Sequence, residues 1–196
     1  KGLLGGAKKL ARKNVATYYG AVNDETPLVG IEPSAVLTFR DEYPKLLRNQ
    51  EQKEALEVAK HVYTITEFLY REAVAGRIGS HQFSGLETVI SLHTHCYEKA
   101  LGNPEEIAFL LSLPRNYIVH SIPSGCCGMA GSFGYERAHY ALSMQIGEEV
   151  LFPTIRSQPH NIIAATGTSC RHQILDGTGR EAKHPVEVLL AALLPE

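Results

Sequence analysis

The sequence predicts an α/β fold, with a mostly parallel sheet and flanking helices. Two observations carry this. Short apolar runs alternate with segments of helical periodicity, which is the pattern of βαβ units. In the second half, three such runs each lead into a cysteine-bearing turn where a helix is due to begin: Val89-Ile90-Ser91-Leu92, Tyr117-Ile118-Val119 and Ile162-Ile163-Ala164-Ala165.

The elements follow in order. Gly2 to Tyr19 carries Leu3, Leu4, Ala7, Leu10, Ala11 and Val15 near helical spacing and reads as a helix. Pro27 to Ile31 is a short buried-strand candidate, broken by Glu32-Pro33-Ser34. Ser34 is placed to cap a helix running to about Leu47. Residues 50 to 75 read as the longest helix, with the stripe Ala55, Val58, Val62, Ile65, Leu69 and Ala73 facing a core. The glycine-rich stretch from Gly76 to Gly85 is a loop and marks a boundary between halves. Beyond it, Asn103-Pro104-Glu105-Glu106 has the cap, proline and acidic first turn of a helix start. A long helix is expected from about Tyr135 to Val150, and a last one from Val186 to Leu194.

Composition narrows the function. A net charge of −2 without a basic run argues against nucleic acid or an anionic membrane as partner. No apolar run approaches the ~18 residues of a transmembrane segment. No signal peptide is visible, so a cytoplasmic location is expected, at most peripheral to the inner face of a membrane. The chain opens Lys-Gly-Leu-Leu without Met and reads as a piece of a longer protein. At 196 residues it buries enough surface to fold without disulfides. Its four cysteines, two of them adjacent, therefore point to metal or redox chemistry.

Those cysteines are Cys96, Cys126, Cys127 and Cys170. Each follows an apolar strand candidate, and in a parallel sheet the strand ends share one edge, where open α/β sheets bind ligands. Four thiolates gathered there suit an iron–sulfur cluster or a four-thiolate zinc; disulfides are the third outcome. Small residues around the pair, in Ser124-Gly125-Cys126-Cys127-Gly128-Met129-Ala130-Gly131-Ser132, let backbone N–H groups approach sulfur closely. A helix N-terminus after the pair would add positive potential and make Cys127 the best stabilised thiolate. The competing reading is of buried, inert cysteines. The spacing Cys-x-x-Cys is absent, so spacing does not identify the metal. His93 and His95 flank Cys96 and are candidate further ligands or pocket-wall donors. His172 is a weaker candidate. Lys99 and Arg171 either offset the charge of a centre or are solvated helix charges. Gly128-Met129-Ala130-Gly131 lacks the residues of a nucleotide-binding loop.

Cys126-Cys127-Gly128 followed by Met-Ala-Gly-Ser-Phe-Gly-Tyr-Glu resembles the cysteine-rich CCG domain. That domain occurs in heterodisulfide reductase, in the iron–sulfur subunits of glycolate oxidase and anaerobic glycerol-3-phosphate dehydrogenase, and at the C-terminus of large FAD-linked oxidases. His93 to Leu101 resembles its first cysteine segment, and Thr168-Ser169-Cys170-Arg171-His172-Gln173 its last. The stretch Gly30 to Pro44 is most similar to FAD-linked oxidases acting on D-lactate or D-2-hydroxyglutarate. The resemblance implies two quasi-repeated halves, the first truncated: residues 1–80 as the remnant of one CCG repeat and 81–196 as the complete second. Ala35 stands where many relatives carry cysteine, so the first half holds no centre. Gly167 and Gln173 occupy the places of further cysteines, leaving a four-cysteine site.

The implied function is electron transfer through an iron–sulfur cluster of the 4Fe-4S type, within a flavin-linked dehydrogenase or oxidase of a 2-hydroxy acid (glycolate, D-lactate or D-2-hydroxyglutarate). FAD would belong to the part of the parent protein outside this chain, and the partners would be flavin and ferredoxin-like domains or subunits. By itself the chain has no hydride-transfer machinery and is expected to be inactive. The alternatives are a zinc-stapled docking module, held by the four cysteines or by three and a histidine, and a thiol redox enzyme using Cys126 and Cys127. A severed repeat is expected to bare an apolar face and a sheet edge, and to associate as a homodimer.

Overall fold

Parallel strands alternate with helices, as expected, in a computed structural model that describes residues 2–195. The chain divides into two compact units, Lys1–Ile65 and Thr66–Glu196, and the repeat boundary expected at 80/81 lies within the second.

In the first unit, α1 (Leu4–Tyr18) buries Ala11 and Val15 and leaves Leu3, Leu4 and Leu10 exposed. Strand β1 (Leu28–Gly30) leads into α2 (Pro33–Val36). The cap here is Glu32, not Ser34: its carboxylate accepts the Ser34 N–H at 3.3 Å and the Ser34 hydroxyl at 2.7 Å. The single helix expected from Ser34 to Leu47 is broken into α2, a 3₁₀ turn (Leu37–Phe39) and α3 (Glu42–Leu46). Pro44 explains this, because it has no N–H to continue a helical ladder from Arg40.

The long helix expected over residues 50–75 is also divided. Helix α4 (Asn49–Ala59) ends before strand β2 (Val62–Thr64), and α5 (Ile65–Val74) begins directly after it. Val62, Thr64, Ile65 and Thr66 are β-branched and favour extended backbone. β2 pairs in parallel with β1, with Leu28 opposite Val62 and Gly30 opposite Thr64. That pairing outweighs the helical stripe.

The second unit holds a three-stranded parallel sheet in the order β4-β3-β5: β3 (Thr88–His93), β4 (Tyr117–Ser121) and β5 (Ile162–Ala165). Between β3 and β4 lie α6 (Cys96–Leu101) and α7 (Pro104–Leu111). The side chain of Asn103 caps α7 as expected, accepting the Glu105 N–H at 3.1 Å. Between β4 and β5 come a 3₁₀ turn (Phe133–Tyr135), α8 (Tyr140–Glu149) and α9 (Leu151–Ser157). Thus the helix expected to start at Tyr135 starts five residues later. After β5, α10 (Thr168–Thr178) and α11 (Pro185–Ala192) close the unit.

The period of two along the strands divides the core between the two sheet faces. Ile90, Leu92 and Ala164 pack with Ile107, Leu110, Leu111, Val188 and Leu189 on one face. Ile163 and Ala165 pack with Leu151, Phe152, Ile155, Ile174, Cys127 and Cys170 on the other. Register places His93 beside Ala165 and Ser91 beside Ile163, so His93 shares the face that carries the cysteines. No helix among the described residues is long and apolar enough to cross a membrane.

Candidate metal centre

The segments that follow β3, β4 and β5 bring the cysteines to one edge of the sheet. Cys96 opens α6, where the ring of His95 caps the helix by accepting the Tyr97 N–H at 3.1 Å on Nδ1. Cys170 lies in the first turn of α10. Cys126 and Cys127 lie in the loop after β4, where no helix begins. The expected helix N-terminus behind the pair is therefore replaced by a tight turn: Gly128, Ala130 and Gly131 have φ of 101°, 43° and 68°. Backbone amides still reach sulfur, as expected of so small a loop. The Gly128 N–H donates to Cys126 Sγ at 3.3 Å.

Two buried side chains hold this loop in place. Ser143 Oγ of α8 donates to the Gly128 carbonyl at 2.9 Å. Gln173 of α10 donates to the Ser143 carbonyl and hydroxyl at 3.0 and 2.9 Å. Gln173 thus serves as a strut that fixes Ser143 and, through it, the Gly128 turn.

The thiols interact in series, Cys96 with Cys126, Cys126 with Cys127, and Cys127 with Cys170. Cys96 is exposed, Cys126 half-buried, and Cys127 and Cys170 buried; all four are free thiols. Their acidities alternate. Hydrogen bonds from Cys127 and Cys96, with help from the Gly128 and Ala130 amides, hold Cys126 far below the usual thiol range. A hydrogen bond from Cys127 lowers Cys170 to about 5, against the effect of burial. Cys96 is pushed well up, first by its hydrogen bond to Cys126 and then by burial. Cys127, expected to be the best stabilised thiolate, is instead pushed up by its bonds to Cys126 and Cys170 and by burial, and Cys126 is the one held lowest. Adjacent negative charges repel one another, which restricts how many of the four sulfurs can ionise together. A bound cation removes that restriction and lets all four ionise.

His93 completes the wall. It is fully buried, and its Nδ1 lies 2.8 Å from Ser124 Oγ. Its Nε2 is buried with no partner at ordinary hydrogen-bond distance, and the ring interacts with the Cys170 thiol, helping to lower it. A nitrogen of His93 and the sulfurs of Cys127 and Cys170 all lie within 4.8 Å of one another. His95 is outside this group, since its Nδ1 is committed to the α6 cap. His172 points elsewhere, with Nδ1 at 2.6 Å from the Tyr135 hydroxyl. Arg171 braces the end of β5 by donating to the carbonyls of Ala165 and Thr166 at 3.0 and 2.9 Å. His93, Cys127 and Cys170 therefore form a buried group of one nitrogen and two sulfurs that is compatible with a metal ion.

Glu98 gave no signal in the sequence beyond lying two positions after Cys96. It is buried, accepts from Thr66 Oγ1 at 3.3 Å and from Thr166 Oγ1, and burial raises its carboxyl to about 7. Thr166 Oγ1 in turn accepts the His95 N–H at 3.1 Å, so Glu98 ties α6 to the end of β5.

No family model matches the chain, and no solved structure does. Among curated proteins it is similar to D-2-hydroxyglutarate dehydrogenase of Escherichia coli, 31% identical over 193 residues, which are 97% of this chain and 18% of that protein. The Haemophilus influenzae D-2-hydroxyglutarate dehydrogenase is 30% identical over 177 residues, 85% of this chain and 16% of that protein. A subunit of the anaerobic glycerol-3-phosphate dehydrogenase of Escherichia coli is 28% identical over 191 residues, 95% of this chain and 46% of that polypeptide. The chain thus spans less than half the length of each of these relatives, all of them named as dehydrogenases or as part of one.

Proposed function

We propose that this chain is the iron–sulfur electron-transfer module of a flavin-linked 2-hydroxy-acid dehydrogenase of the D-2-hydroxyglutarate type, with Cys96, Cys126, Cys127 and Cys170 holding a 4Fe-4S type cluster. The observation that supports this reading is the interaction of Cys96 with Cys126, Cys126 with Cys127 and Cys127 with Cys170, with Cys127 and Cys170 beside His93. The relatives agree in kind: two are 2-hydroxyglutarate dehydrogenases, and the third is a subunit of another dehydrogenase.

When bound, a cluster supplies one-electron exchange at a potential tuned by the surrounding protein. The chain's own part is to position the thiolates, exclude water behind Cys127 and Cys170, and leave Cys96 toward the surface. On this reading FAD and the hydroxy acid bind elsewhere in the parent protein, and this module receives electrons from flavin and ferredoxin-like domains or subunits. Residues 1–80 are read as the remnant of a first repeat whose donor position is Ala35.

A second reading is favoured by one feature. A nitrogen of His93 and the sulfurs of Cys127 and Cys170 lie close enough to offer three donors to a single ion, and a further cysteine is read as the fourth. Zinc there would staple the unit for docking. Anaerobic reconstitution with iron and sulfide, followed by metal analysis, tests both. A brown protein with iron and sulfide in equal amounts supports the cluster. A colourless protein with one equivalent of zinc, lost in His93→Phe, supports the staple and refutes the cluster.

A further inference from the structure

We infer that Lys99 is a positioning residue for the centre, holding a positive charge against its sulfurs and so raising its electron affinity. This rests on the iron–sulfur reading.

Lys99 lies three residues after Cys96 on α6, and therefore on the same helix face. Its ammonium donates to the Ser124 carbonyl at 2.5 Å and to the Gly125 carbonyl at 3.1 Å. These are the two residues immediately before Cys126. Ser124 is also gripped from the other side by His93, with its hydroxyl 2.8 Å from Nδ1. Two hydrogen bonds thus fix the charge at the rim of the pocket, on a backbone that cannot move far.

Burial pulls the Lys99 pKa down, and the sulfurs of Cys170, Cys96, Cys126 and Cys127 oppose that by favouring the charged ammonium. Carbonyl oxygens are neutral partners, so they hold the ammonium without cancelling its charge. Half-buried charges are also screened less than exposed ones. Such a cation stabilises a centre that gains an electron more than one that has lost it. Arg171, in contrast, spends its guanidinium on the end of β5.

The test separates the charge from the latch. Lys99→Gln keeps hydrogen-bond donors but loses the charge, and Lys99→Arg keeps both. Each protein is reconstituted anaerobically beside the parent, iron and sulfide are measured, and midpoint potentials are then taken by redox titration. The expected result is equal loading in all three, with the Gln variant at a more negative potential and the Arg variant close to the parent. A Gln variant that fails to load beside an Arg variant that does also supports the charge. Equal potentials in loaded parent and Gln variant would overturn the inference, as would loss of loading in both variants, which makes Lys99 purely structural. A parent that takes up no iron and sulfide refutes the cluster reading itself.

Discussion

Replacing Gly128 with alanine should damage the site more than any other single methyl added to its loop. Gly128 sits at φ 101°, where an L side chain is strained, and a Cβ there would stand 2.1 Å from the Ser143 carbonyl oxygen and 3.0 Å from Gln173 Nε2. Neither neighbour is free to withdraw, since Gln173 donates to Ser143 and Ser143 donates back to the Gly128 carbonyl. The unfavourable φ costs about 1–3 kcal/mol. Forcing the contact apart costs about 1–3 kcal/mol more. At roughly 2–4 °C per kcal/mol, the thermal midpoint should fall by an amount on the order of 10 °C. The control is Gly125→Ala in the same loop, where nothing lies within 4 Å of the added Cβ. That change should stay within about 0.5 kcal/mol of the parent. Calorimetry of the metal-free proteins measures stability, and reconstitution measures loading. A Gly128→Ala protein that melts with the parent and loads fully would refute the claim that the turn shapes the pocket.

Other outcomes follow from the same geometry. Cys127→Ala should abolish metal uptake, because it removes the sulfur that interacts with both Cys126 and Cys170; Ala35→Cys should restore none, and full metal retention without Cys127 would mean that the pair is structural. Glu98 gives the metal-free protein a pH dependence: its carboxyl titrates near 4.5 when unfolded but about 7 when folded, so the native state binds the proton more tightly. Its contribution to stability should therefore fall as pH rises through that window, by about 3 kcal/mol in all, while the lowered Cys126 and Cys170 act in the opposite direction. The difference in urea stability between parent and Glu98→Gln isolates that share, and a difference that does not change with pH would remove Glu98 as a cause. With Leu3, Leu4 and Leu10 exposed on α1 and Ile118 exposed on β4, the chain should associate with rising concentration, and a clean monomer in sedimentation at high concentration would contradict this. The chain alone should not oxidise 2-hydroxy acids with an artificial acceptor; measurable turnover would overturn that division of labour.

The strand-to-cysteine rhythm of the second half was legible because β3, β4 and β5 are short apolar runs flanked by turn residues. Ile162–Ala165 appears as a strand at the bounds the sequence suggested. Strand β2 was hidden because Val62 and Ile65 also fit a helical stripe, and only pairing with β1 decides between the two. The β-branched run was the available signal. Behind Cys127 the glycines were visible, but whether they open a helix or a left-handed turn depends on Ser143 and Gln173, which lie 15 and 45 residues further along the chain. The buried Nε2 of His93 was equally out of reach. Alternation along β3 puts the ring on the cysteine face, but only Ser124, from another strand end, settles which nitrogen is left over.

The donors come from three strand ends, and this sets the order of events during synthesis. The pocket closes only when β5 adds to β3, which requires Cys170 to have been made. At ~5–20 residues per second, the interval between translating Cys96 and Cys170 is roughly 4–15 s. Through that time the first three thiols exist without their fourth, open to oxidants and stray metals. On the iron–sulfur reading, delivery of the inorganic group is therefore a late step that competes with those reactions, and the yield of loaded protein should depend on the redox state around the ribosome while synthesis is under way.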